Sequence, residues 1–101
     1  MKKVKVIWST EALVDLEIIY DFLAERSQQA AQSVIEKILS RVRQIETFPE
    51  SGAKQVVLKN TDKDYRYLVE GNYKIIYRIT DQQAYIATVF DTRYNPDKLK
   101  A

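Results

Sequence analysis

The chain contains neither cysteine nor histidine, and it has only two glycines and two prolines among its 101 residues. Without cysteine it can form neither a disulfide framework nor a thiolate metal site. Without histidine as well, we expect no zinc site, because carboxylates alone suit harder ions. The scarcity of glycine and proline argues against a disordered chain. We therefore expect one folded domain over 1–101, with no metal and no cofactor.

Long apolar runs are also lacking. No segment approaches the length of a transmembrane helix, and the opening Met-Lys-Lys leads into an alternating strand rather than into the hydrophobic region of a signal peptide. We therefore expect a cytoplasmic protein without a membrane partner.

Charge is unevenly distributed although the net charge is only +2. Residues 9–47 carry seven acidic and four basic side chains, whereas residues 54–79 carry six basic and three acidic ones. The first eight residues add three lysines. An acidic middle and a basic C-terminal half indicate an anionic partner, without specifying nucleic acid.

Hydrophobic periodicity predicts the element order β-α-α-β-β-β-β, which is an α+β fold. Ser9 or Thr10 is expected to cap the first helix and Ser27 the second, with almost no linker between them. Short loops between the later strands predict a mainly antiparallel sheet with the helical hairpin packed on one face. The predicted strands cover 3–8, 54–58, 65–69, 73–79 and 84–91, with turns at 60–64, 70–72 and 81–83.

Basic side chains fall inside the predicted strands, where charge is unusual. Alternation places Lys74 and Arg78 on one face of their strand, and the simplest pairing adds Arg66 from the preceding strand. These three cations are then expected on the sheet face opposite the helices, where they could bind phosphate or carboxylate groups. A solvated face whose charges deter aggregation has the same pattern, and the residues alone leave both interpretations open.

Other polar residues give weaker signals. Most of the seven tyrosines are expected to pack in the sheet, but Tyr94 lies beyond the last strand beside Arg93, and we keep both as site candidates. The helical carboxylate pairs, Glu11 with Asp15 and Glu17 with Asp21, are expected on the solvated surface. No glycine-rich phosphate loop or serine nucleophile motif is present, so spacing alone yields no catalytic set.

Four segments in order resemble the RelE/ParE family of type II toxin–antitoxin toxins. They are WSTEALVDLEIIYDFL, IETFPESGA, YRYLVEGNYKIIYRI and VFDTRYNP, and together they extend over essentially the whole chain. The resemblance implies a RelE-like fold, a cognate antitoxin that neutralises the protein, and a role in plasmid stabilisation or growth control. It also implies either a homodimer or a toxin–antitoxin heterotetramer.

Position by position, the resemblance separates two branches of the family. RelE-like toxins cleave mRNA on the ribosome with several basic side chains and a tyrosine or histidine. Here Arg66, Lys74 and Arg93 match basic positions, but Leu68 stands where a second cation of the first pair would be. The expected C-terminal tyrosine position falls near Leu99.

The resemblance therefore favours the ParE-like branch, which inhibits DNA gyrase by binding and performs no chemistry itself. The target-binding residues would then be Arg66, Lys74, Arg78, Arg93 and Tyr94. The alternatives are a ribosome-dependent mRNA endonuclease using Arg66, Lys74 and Arg93 with Tyr94, and an inactive member that only binds its antitoxin. In each case we expect the helical hairpin and the first strand to frame the antitoxin groove.

Overall fold

A computed structural model, which describes residues 3–55 and 64–94, places two helices on one face of a five-stranded sheet. The α+β class and the order β-α-α-β-β-β-β are confirmed. The elements are β1 (Lys5–Trp8), α1 (Thr10–Ala24), α2 (Gln28–Thr47), β2 (Ala53–Lys54), β3 (Asp64–Glu70), β4 (Tyr73–Ile79) and β5 (Gln83–Asp91), with a 3-10 turn at Pro49–Ser51 before β2. Of the strand predicted at 54–58, Gln55 lies just beyond β2, and residues 56–58 lie outside the described residues together with most of the turn at 60–64.

Each helix begins at a serine whose hydroxyl accepts a hydrogen bond from the first turn. The Ser9 side chain accepts from the backbone N–H of Ala12, and Ser27 accepts from Ala30. These bonds satisfy amide groups that a helix start leaves without partners. Both predicted caps are confirmed, with Ser9 rather than Thr10 at the first.

No helix within residues 3–55 and 64–94 is long and apolar enough to cross a membrane.

The sheet has the order β1-β5-β4-β3-β2, with β1 parallel to β5 and all other pairs antiparallel. Apolar side chains of α2 and of the central strands form the core, whose fully buried members include Ile38, Ile45, Ile75, Tyr77 and Ile86. We call the sheet face that packs on the helices the helix face, and the opposite face the far face.

The predicted pairing of β3 with β4 was wrong by one residue. Arg66 lies opposite Tyr77 and Leu68 lies opposite Ile75, so both point to the helix face. The prediction assumed a three-residue loop at 70–72, but Glu70 pairs with Tyr73 and the turn has two residues. Gly71 takes a φ of 60° there, which suits glycine. A shift of one residue moves every side chain of a strand to the other face.

A bulge in β5 reverses the face of the sheet to which the later residues of this strand point. Tyr77 pairs with Ile86 but the neighbouring Ile76 pairs with Thr88, which leaves Ala87 as an extra residue. The Asp15 Oδ2 atom of α1 accepts hydrogen bonds from the Thr88 hydroxyl at 2.6 Å and from the Val89 N–H at 3.0 Å. The carbonyl of Ala87 accepts from the Ser9 hydroxyl at 2.9 Å. The start of α1, through Ser9, and its middle, through Asp15, are thus both hydrogen-bonded to the bulge.

The location of Asp15 corrects the expectation of a solvated carboxylate, because only 6% of this residue is exposed. Its helical neighbour Glu11 is exposed as expected. Not every apolar residue of α1 is buried, since Leu13 is 50% exposed. A buried acid that accepts two hydrogen bonds has a structural function in α1 that periodicity alone does not indicate.

We predict that Asp15→Ala lowers the free energy of unfolding by roughly 3 kcal/mol, because it leaves the buried Thr88 hydroxyl and the Val89 N–H without this acceptor. Urea unfolding followed by circular dichroism measures the change. Glu17→Ala, at an exposed position of the same helix, is the matched control and should change stability by less than about 0.5 kcal/mol. Equal effects of the two substitutions would contradict the role assigned to Asp15.

Candidate functional site

The five candidate residues lie in three separate places. Arg66 lies on the helix face near β2, whereas Lys74 and Arg78 lie on the far face. Arg93 and Tyr94 follow β5 at the end of the sheet, where the ring of Tyr94 contacts Phe22 of α1. The expected row of three cations on one face is therefore reduced to Lys74 and Arg78.

The Arg66 guanidinium is bonded to the protein itself. Its Nη1 atom donates to the carbonyl oxygens of Glu50 at 3.1 Å and Gly52 at 2.9 Å, and its Nε atom donates to Asp64 at 3.3 Å. Only 14% of the side chain is exposed. Lys54 also binds Asp64 at 2.8 Å, and hydrogen bonds from both cations hold the pKa of this carboxyl below its usual value, with that of Lys54 the larger effect. Arg66 thus fastens the 3-10 turn and β2 to β3.

Tyr77 completes this attachment from β4. Its hydroxyl donates to the Pro49 carbonyl at 2.7 Å and accepts from the Gly52 N–H at 3.0 Å. Burial raises the pKa of Tyr77, so the hydroxyl stays protonated and keeps its donor. A Cβ atom at residue 52 would lie 2.5 Å from the Tyr77 hydroxyl oxygen, which explains glycine at this position.

The far face carries two cations stacked on tyrosine rings. The Lys74 Nζ atom lies 3.9 Å from the ring centre of Tyr67, and the Arg78 Cζ atom lies 4.5 Å from that of Tyr85. Both distances are within the range of cation–π attraction. Burial lowers the pKa of Lys74. Among the described residues, neither cation forms an ion pair with a carboxylate.

Arg93 forms an ion pair at the end of β5. Its Nε and Nη2 atoms donate to the two carboxylate oxygens of Asp91 at 3.1 and 2.8 Å, and its backbone N–H donates at 2.9 Å. The Arg93 side-chain hydrogen bonds, followed by the backbone bond, hold the pKa of Asp91 below its usual value against an opposing effect of burial. The Arg93 Cζ atom also lies 5.2 Å from the ring centre of Tyr94. With 53% of its side chain exposed, Arg93 remains accessible to a partner.

An apolar groove of about 480 Å³ lies between α1 and the ends of β4 and β5, beside Tyr94. Its rim is formed by Ile18, Phe22 and Tyr94, which are 61%, 59% and 63% exposed. The rings of Phe22 and Tyr94 meet edge to face at 6.0 Å. Sequence reasoning missed this surface, although α1 has apolar residues at Val14, Ile18 and Phe22, a spacing of four that lies outside its buried stripe.

The described residues do not form an acid–base centre. Arg66, Lys74 and Arg93 do not converge, and burial raises the pKa of both Tyr73 and Tyr77, which disfavours either phenol as a base. No cluster of three or more metal-binding side chains occurs within residues 3–55 and 64–94. Leu99, at the expected tyrosine position, lies outside the described part of the chain. The geometry suits binding, with an apolar groove on one side and cations on the other.

Comparison with known proteins gives a family match for the sequence and a match for the fold. The sequence model described as "ParE toxin of type II toxin-antitoxin system, parDE" matches residues 6–96. A solved structure entitled "Chromosomal ParDE TA system from P. aeruginosa" is 17% identical, covers 88% of this chain and 96% of that chain, and superposes with a TM-score of 0.71. At that identity the likeness shows the fold. No curated protein sequence matches the chain.

We predict that Arg66→Ala and Arg78→Ala differ in their effect on stability. Arg66→Ala removes the donors to Glu50, Gly52 and Asp64 and should cost about 1–3 kcal/mol. Arg78→Ala removes one stacked cation and should cost about 0.5–1 kcal/mol. Urea unfolding of both variants measures the difference. A larger loss for Arg78→Ala would contradict the structural role of Arg66.

The Asp91–Arg93 pair predicts a pH dependence of stability. Because the folded pKa of Asp91 is lowered, the pair stabilises the fold above the unfolded value of about 3.9. That contribution is lost as the pH falls through the folded pKa. The wild type should therefore be more stable than Arg93→Ala at pH 7, and the difference should close toward pH 2. Urea unfolding at a series of pH values measures it, and a difference independent of pH would contradict this role for the pair.

Proposed function

The chain belongs to the ParE toxin family of type II toxin–antitoxin systems, and we propose from this premise that it inhibits DNA gyrase by binding and is neutralised by a cognate antitoxin. It would act in the cytoplasm, in the context of plasmid stabilisation or growth control. The target contacts would come from Lys74, Arg78, Arg93 and Tyr94. Arg66 would act indirectly, by positioning the turn at Pro49–Ser51.

The observation that carries this proposal is the separation of the three family-matched cations. Cleavage of RNA requires stabilisation of a phosphorane charge and a positioned group for proton transfer. Arg66 is bonded to two carbonyls and a carboxylate on the helix face, Lys74 is on the far face, and Arg93 is paired with Asp91. A single phosphate cannot be held by all three in this arrangement, which favours inhibition by binding.

One observation favours ribosome-dependent mRNA cleavage as the second candidate. Arg93 and Tyr94 are adjacent and exposed, with the guanidinium carbon 5.2 Å from the ring centre. A cation beside a phenol could pair charge stabilisation with proton transfer, but a tyrosine ordinarily titrates near about 10. This candidate would need the ribosome to supply further groups.

We place the antitoxin contact on the groove beside α1. The P. aeruginosa structure is entitled as a ParDE system, so a partner of that kind is expected here. Ile18 and Phe22 give the helix an exposed apolar surface, and α1 carries four acidic residues and no basic one. An amphipathic antitoxin segment with basic flanks would complement both features. The toxin would then occur with its antitoxin as a heterotetramer, or as a homodimer without it.

A pair of assays on one protein preparation distinguishes the two targets. We expect the purified protein to inhibit supercoiling by gyrase and to leave mRNA on stalled ribosomes uncut. Arg93→Ala should lose inhibition of supercoiling and of growth while keeping its fold, because Arg93 is an exposed cation at the end of β5. Codon-specific mRNA cleavage that Lys74→Ala abolishes would overturn the gyrase assignment.

Two controls make the result specific. Arg26→Ala removes an exposed cation just beyond α1 and should keep full inhibition. If this variant also lost inhibition, net charge alone would explain the effect of Arg93→Ala. Adding the antitoxin should restore supercoiling with the wild type but not with Phe22→Asp, because that substitution places a charge in the apolar rim. Neutralisation of both proteins alike would exclude the groove as the antitoxin contact.

A further inference from the structure

The charges of the sheet are segregated by face. Within the described strands, the far face carries the cations Lys5, Lys74 and Arg78 and no acidic side chain. The strand acids are on the helix face, as the pairing of Asp64 with Ile79, Glu70 with Tyr73, and Asp91 with Tyr73 shows. A face with cations but no anions attracts a polyanion without a competing repulsion.

The same face carries tyrosines between its cations. Tyr67 and Tyr85 flank β4 on its two sides and each holds a cation over its ring, while Tyr65 lies opposite Arg78. Stacking fixes the positions of the two cations, which are four residues apart on β4 and thus separated by about 13 Å along the strand. Cations and aromatic rings are the two components of single-stranded nucleic acid sites.

We propose that the far face binds single-stranded nucleic acid. Phosphates would contact Lys5, Lys74 and Arg78, and unpaired bases would stack on the tyrosine rings and on the Arg78 guanidinium plane. A duplex keeps its bases stacked internally and could use only the cations. An acidic protein surface would likewise leave the aromatic rings unused, so the combination favours a single strand.

The test is fluorescence anisotropy of the full chain with labelled oligo(dT) and oligo(rU) of about 12 nucleotides, over a series of salt concentrations. Three neutralised phosphates predict a slope of log K against log salt of about −2. Lys74→Gln and Arg78→Gln should each weaken binding several-fold and flatten the slope by about 0.7. Tyr67→Leu should weaken binding with little change of slope, because stacking releases no counterions.

Lys37→Gln, an exposed position of α2, is the charge-matched control and should bind as the wild type does. The proposal is overturned if no oligonucleotide binds at low salt, if Lys37→Gln weakens binding as much as Lys74→Gln, or if poly-glutamate or a duplex of the same length binds equally well. Circular dichroism establishes that each variant is folded. The assay contains no gyrase, so its failure leaves the proposed gyrase inhibition untouched.

Discussion

Asp15 accepts hydrogen bonds from Thr88 and Val89 at the bulge of β5, and the orientation of the later residues of this strand depends on that bulge. Before the bulge, Ala84 and Ile86 point to the helix face, and after it Val89 and Asp91 do so. Without the extra residue, strict alternation would turn Asp91 outward. The bulge therefore brings the Arg93 end of the strand to the side of α1, and the Asp15 carboxylate gives the displaced backbone N–H an acceptor.

The strand register also determines which charged residues lie on the helix face and which on the far face. The acids of the strands are on the same face as the acidic α1, and they are compensated there by Arg66 and Arg93. On the far face, Lys74 and Arg78 have tyrosine rings as neighbours, and neither forms an ion pair with a carboxylate among the described residues. Half-buried cations that form no ion pair with a described carboxylate carry a desolvation cost, which is visible in the lowered pKa of Lys74. A bound anion would offset that cost.

Local patterns predicted the elements of the fold, but not how they pair. The caps at Ser9 and Ser27 and the extent of β4 follow from rules that act within a few residues. The face of Arg66 depended instead on whether the turn at Gly71 has two residues or three, a difference that periodicity does not detect. The role of Asp15 depended on a bulge 73 residues away in sequence. Long-range pairing thus determines which candidate residues lie close enough to act together. The groove at Phe22 likewise depends on how α1 packs against β5.

The groove and the far face are separate surfaces, and this separation limits which toxin residues a bound antitoxin can cover. A segment docked in the groove beside α1 would reach Tyr94, which borders that groove, and the Arg93 guanidinium carbon lies 5.2 Å from the Tyr94 ring centre. It would not cover Lys74, which lies on the opposite face of the sheet. If the antitoxin acts by covering the toxin's contact with its target, that contact must include the Arg93 end of β5. The far face could then keep an anionic ligand while the groove is occupied, because neither Lys74 nor Arg78 lines the groove.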